Sequence, residues 1–122
     1  MIVCDELSLL AGVDDMTIAQ IKNQGRSFGI IPVFATQYPE QLPDQLLRSF
    51  MGYSSFVSFC TPDTDTATRI AARLSDKQGE DGWTPGAVVN LRKFQAAVRA
   101  RTEQQVQPSF LITVHNFDGK PL

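Results

Sequence analysis

Hydrophobic and polar residues fall in alternating blocks along the first part of the chain. Met1 to Cys4 is an apolar run closed by Asp5 and Glu6, the pattern of a short buried strand. Met16, Ile18, Ala19 and Ile21 then recur at mixed helical spacing. Asp14 or Asp15 is placed to cap that helix and Gly25 to end it after about Gln24. Ile30 to Ala35 is apolar again and ends in Thr36-Gln37. Its Pro32 has no N–H to give, so a strand here requires that position to face no ladder partner. Leu42, Leu46, Leu47 and Phe50 predict a helix from about Pro39 or Leu42 to Phe50. Ser55 to Cys60 is a third strand-like run. Thr61 or Asp63 then caps a predicted helix to Leu74, on which Ala67, Ile70, Ala71 and Leu74 share one face.

This β-α-β-α-β-α order predicts an α/β fold, a mostly parallel sheet with helices on its faces. Ser75 to Pro85 is polar, with Gly79 and Gly82, and is expected to be a loop. Beyond it, Ala87 to Leu91 and Gln95 to Arg101 predict two strands joined by a short turn, an antiparallel C-terminal hairpin. Phe110 to Val114 is a last apolar run, strand or extended tail. There is no internal repeat and no low-complexity tract. The chain opens inside its most buried strand with no lead-in, which a domain seldom does. The expectation is a piece of a longer protein or a misassigned start.

Composition narrows the picture. A chain of 122 residues suits one small domain or part of a larger one, and 43% hydrophobic with 20% charged residues is ordinary for a soluble globular protein. A net charge of -2 provides no global basic field for nucleic acid, leaving only the late cluster Arg92, Lys93, Arg99 and Arg101, most simply a solvated face. Cys4 and Cys60 each end an apolar run without a CxxC partner, as expected of reduced core thiols in a cytosolic protein. One histidine and two separated cysteines argue against a structural zinc site. No apolar stretch approaches the ~20 residues of a membrane span, and no signal peptide is seen. Phe50, Phe56, Phe59 and Trp83 read as core or loop-packing residues rather than base-stacking platforms.

The candidate chemistry lies at strand ends. Asp5 and Glu6 follow a buried strand directly, which puts both carboxylates at the edge where open α/β sheets bind ligands. Nucleotide hydrolysis uses such a pair, one carboxylate for the water shell of Mg²⁺ and one to polarise the attacking water. The same two acids could equally begin a solvated turn or cap the next helix. Gln37, at the end of the next strand, carries a donor and an acceptor and can reach both a γ-phosphate and a water, or simply close a turn. Arg26, in Gly25-Arg26-Ser27-Phe28-Gly29, can act on phosphate or sit as an exposed cation near a helix C-terminus. A cysteine hydrolase using Cys4 or Cys60 would have only His115 as base.

Taken in order, Val3-Cys4-Asp5-Glu6, Gly25-Arg26-Ser27-Phe28-Gly29-Ile30, Phe34-Ala35-Thr36-Gln37 and Gln41-Leu42 resemble the second half of the FtsK/HerA-class motor domain. The closest flavour is the TraG/TraD-type coupling ATPase of conjugation and type IV secretion. The resemblance covers Ile2 to Leu74 well and Trp83 to Arg101 loosely. It implies a P-loop NTPase fragment: residues 1–74 as the Walker B and sensor half, 75–86 as a loop, and 87–122 as hairpin and tail. It implies that Asp5 is the Mg²⁺-site acid acting through water, Glu6 the catalytic base, Gln37 the γ-phosphate sensor and Arg26 a finger reaching a neighbouring subunit's ATP. The implied partners are further copies: a ring hexamer when full length, and a dimer or strand exchange through Phe110 to Val114 for this fragment. DNA or protein is the cargo, and the place is the bacterial cytoplasm, with or without membrane association of the full-length protein. One departure is large: no G-x-x-x-x-G-K-[ST] occurs in the chain, so no amide cradle for phosphates is present. The chain is therefore expected not to hydrolyse ATP alone. In this class the missing Walker A strand lies between the strand ending in Gln37 and the strand Ser55 to Phe59. A non-catalytic α/β interaction module is the competing expectation.

Overall fold

The computed structural model describes residues 1–10, 15–53, 55–75, 82–103 and 105–115, apart from the side chains of Leu10, Asp15, Met16, Ala19, Asn23 and Arg26. The chain forms two compact units, Met1–Gly52 and Tyr53–Leu122.

In the first unit, strand β1 (Ile2–Cys4) leads through a 3-10 turn (Leu7–Leu10) to helix α1 (Asp15–Gln24). A second 3-10 turn (Gly25–Phe28) precedes β2 (Pro32–Phe34), and a third (Pro39–Gln41) precedes α2 (Asp44–Met51). The two strands pair in parallel, with Ile2 opposite Pro32, Val3 opposite Val33 and Cys4 opposite Phe34. Ala35 N donates to Cys4 O at 2.9 Å. By strand alternation, the odd-numbered donors of β2 thus face β1, and the missing N–H of Pro32 faces the other edge, where it disturbs no bond. Gly29 adopts φ 69, a left-handed conformation that turns the chain into β2 without a Cβ penalty. Leu7, Ile18, Leu42, Leu46 and Leu47 form the core, with Cys4, Phe34, Phe50 and Met51 packed against it. Lys22 Nζ donates to Ser49 O at 2.6 Å, tying α1 to the last turn of α2, where the helix dipole favours a cation.

The second unit contains β3 (Phe56–Ser58), α3 (Thr64–Leu74), α4 (Pro85–Val89), β4 (Gln95–Arg99) and β5 (Phe110–Thr113). Its sheet has the order β3-β4-β5 and is antiparallel throughout. Asp63 caps α3 by accepting from Thr66 N at 2.6 Å, as its place before an apolar-periodic run predicts. Ala67, Ile70, Ala71 and Leu74 turn inward from α3, and Val88, Ala96 and Ala97 are buried from α4 and β4.

The fold is thus mixed α/β, with three corrections. The first strand is not buried: Met1, Ile2 and Val3 are exposed, since an apolar run shows what could be covered and not what covers it. The third strand does not extend a parallel sheet. β3 pairs antiparallel with β4, because its hydrophobic pattern specifies burial and not which ladder partner it takes. Nor do Ala87 to Leu91 form a strand. Thr84 Oγ1 accepts from Ala87 N at 3.1 Å and Pro85 occupies the first helical position, so this segment starts as a helix. A five-residue apolar run has no periodicity to separate the two outcomes. The antiparallel partner of Gln95–Arg99 is Phe110–Thr113 instead.

Candidate site at the carboxyl ends of the parallel strands

Parallel pairing makes β1 and β2 leave the sheet at the same edge. With Cys4 opposite Phe34, the continuing backbones stay linked, as Leu7 N donates to Ala35 O at 2.8 Å. Glu6 and Thr36-Gln37, thirty residues apart in sequence, therefore meet.

The Glu6 carboxylate is the centre of this edge. Its Oε1 accepts from Thr36 Oγ1 at 2.8 Å, from Ser8 Oγ at 2.8 Å and from Ser8 N at 3.2 Å. Its Oε2 accepts from the backbone N of Gln37 at 3.3 Å. Thr36 Oγ1 in turn accepts from Tyr38 N at 3.3 Å. The hydroxyl of Thr36, then that of Ser8, hold the Glu6 carboxyl below its ordinary value of 4.5, against an opposing effect of burial. Glu6 is ionised at neutral pH.

Asp5 stands beside it, exposed, and Gln37 is exposed as well. Arg26 is not brought to this edge by its backbone. It lies in the turn Gly25–Phe28, which leads into the amino end of β2, whereas Gln37 leaves the carboxyl end. The Arg26 side chain lies outside the described residues, as does Asp14.

Two residues of the network had no assigned role in the sequence. Thr36 stood beside Gln37 in the same polar exit, and Ser8 lies two positions after Glu6, a spacing at which a hydroxyl can meet a neighbouring carboxylate. Local spacing was the signal for Ser8. For Thr36 only strand pairing could reveal the contact.

Among the described residues no group of three or more His, Cys, Asp or Glu is placed to hold a metal ion. Asp5 offers one exposed carboxylate. That suits Mg²⁺ only in the manner of nucleotide sites, where one or two carboxylates act together with phosphates and water.

Elsewhere the candidate chemistry dissolves. Arg99 turns inward, its Nη1 donating to the carbonyls of Arg73 and Ser75 at the end of α3, so the late basic cluster is not one continuous face. Cys60 is exposed rather than buried, with Sγ 3.0 Å from Val89 O, and Phe59 is exposed too. No described helix is long and apolar enough to cross a membrane. Comparison with known protein families, curated proteins and solved structures returns no match.

Proposed function

We propose that this chain is the Walker B and sensor half of an ATP-driven translocase of the FtsK/HerA class, with DNA or protein as cargo and a ring of copies as the working form. The observation that carries the reading is the meeting of Glu6 and the Gln37 backbone at the carboxyl edge of a parallel strand pair. In open α/β sheets ligands bind at that edge. The phosphate cradle belongs, on this reading, to polypeptide beyond these 122 residues.

Each residue then has a task set by its position. Glu6 is ionised and so able to take a proton from water. Gln37 is exposed next to it, with a side chain able to donate to a phosphate oxygen and accept from a water. Asp5 would hold the water shell of Mg²⁺, which, when bound with ATP, offsets negative charge on the phosphates. Arg26, away from this edge in its own chain, would meet the ATP of a neighbour. Such a site operates on the cytoplasmic side, where ATP is found.

One observation also suits a non-catalytic interaction module. Three donors converge on Glu6 Oε1, a degree of anchoring that a purely structural carboxylate would show. Substitution separates the two. In the complete ATPase, Glu6→Gln should retain ATP binding and lose hydrolysis, because the amide keeps the shape but cannot accept the proton. Asp5→Ala should weaken Mg-ATP binding instead. Parental turnover in Glu6→Gln removes Glu6 as the base and leaves the module reading.

A further inference from the structure

Glu6 is bound unequally through its two oxygens. A carboxylate oxygen has two lone pairs, yet Oε1 collects three donors, two of them hydroxyls at 2.8 Å. Among the described residues Oε2 has a single long contact, 3.3 Å from Gln37 N. The hydroxyls come from different places: Ser8 from the turn following Glu6, Thr36 from the neighbouring strand exit. Together they fix the carboxylate plane from two directions and leave Oε2 with spare acceptor capacity beside Gln37.

We propose that Thr36 is a positioning residue that clamps Glu6 through Oε1, so that Oε2 alone is presented as the working oxygen next to Gln37. The proposal rests on the reading of Glu6 as a general base. The hydroxyl acts through the orientation of Glu6, so its loss should fall on kcat rather than KM and be restored by serine, which keeps the hydroxyl.

Two measurements test this. In the 122-residue chain, NMR at neutral pH follows the Glu6 side-chain and Gln37 amide resonances. Thr36→Val should shift both, while Thr36→Ser, which keeps the hydroxyl, should leave both near the parental values. Resonances unmoved by Thr36→Val overturn the clamp. In the complete ATPase, Thr36→Val should lower kcat by up to ~10², as expected for a misplaced reacting group, with KM little changed. Thr36→Ser should restore the rate. A fall in rate with no rescue by serine also overturns the proposal, as it marks a general structural defect. Failure of the underlying reading looks different: Glu6→Gln would then turn over at the parental rate while the NMR resonances still responded to Thr36.

Discussion

The two units use their polar side chains differently. In Tyr53–Leu122, polar groups mostly complete the unit's own helices. Asp63 and Thr84 cap the starts of α3 and α4, and Arg99, Ser75 and Ser109 reach carbonyls in the last turns of α3 or just past it. In Met1–Gly52, the principal polar cluster lies at strand exits and joins Glu6 to Ser8, Thr36 and Gln37. The sheets differ in the same sense. Antiparallel sheets tolerate one solvated face, whereas parallel sheets are ordinarily covered on both. Yet Val3 and Val33, directly paired across β1 and β2, are 61% and 44% exposed. One unit thus directs its polar chemistry inward to its own helix ends, and the other holds a charged cluster at an edge beside an uncovered apolar face. The difference teaches where to look for function: a polar network that satisfies helix ends explains itself, and one that gathers a charge at a sheet edge does not.

The largest expected effect tests the proposal that the first unit belongs to a ring-forming ATPase. In the complete ATPase, Arg26→Ala should leave nucleotide affinity within a few fold and reduce hydrolysis by at least ~10³, the low end for losing an arginine finger. Arg26→Lys should not rescue it, because an ammonium lacks the planar fork. Mixing Arg26→Ala subunits with subunits lacking the phosphate-loop lysine should return part of the activity. Mixed rings that form and stay inactive rule out a finger acting between subunits.

Next in size are the cores. Leu46 is 1% exposed in the first unit and Leu74 is 1% exposed in the second. Leu46→Ala and Leu74→Ala should each cost about 2–5 kcal/mol by chemical denaturation. Hydrogen exchange should show each loss concentrated among amides of the unit that carries the substitution. Equal loss in both units from either change would mean that they unfold as one.

Acid comes next. The carboxyls of Glu6 and Asp63 lie below their ordinary values of 4.5 and 3.8, each held mainly by a hydroxyl, that of Thr36 for Glu6 and that of Thr66 for Asp63. Their folded values are depressed, so each contributes stability that is present above the ordinary value and is lost as pH falls through the folded one. Thermal melts should therefore weaken below about pH 4.5. In Asp63→Asn the loss should be smaller, and what remains should be confined to the first unit, which holds Glu6. A melting temperature flat from neutrality to pH 3 would contradict both assignments.

The smallest expected effect is none. Without a phosphate loop in its sequence, the 122-residue chain should melt at the same temperature with and without millimolar Mg-ATP, since a ligand that does not bind cannot stabilise. A saturable upward shift accompanied by phosphate release would show a nucleotide site complete within this chain.

Much of the local structure is legible in the residues themselves. Helices α1, α2 and α3 follow from apolar spacing with Gly25 and Asp63 as end signals, and β1 and β2 from apolar runs between polar exits. These features depend on neighbours within a turn or two of chain, which is the range over which periodicity and capping act. Asp5, Glu6 and Gln37 could be singled out on the same ground, because a polar residue directly after an apolar strand must emerge at its end. Tertiary structure alone decided the rest. Which strand β3 pairs with, why Pro85–Val89 is helical and why Arg99 turns inward all depend on partners supplied from far along the chain. So does the clamp on Glu6: Thr36 is thirty residues away, and only the parallel register of Cys4 with Phe34 brings its hydroxyl within 2.8 Å of the carboxylate. Hydrogen bonds act over about 3 Å whatever the sequence separation, so a polar residue's role is set by the strand that arrives beside it.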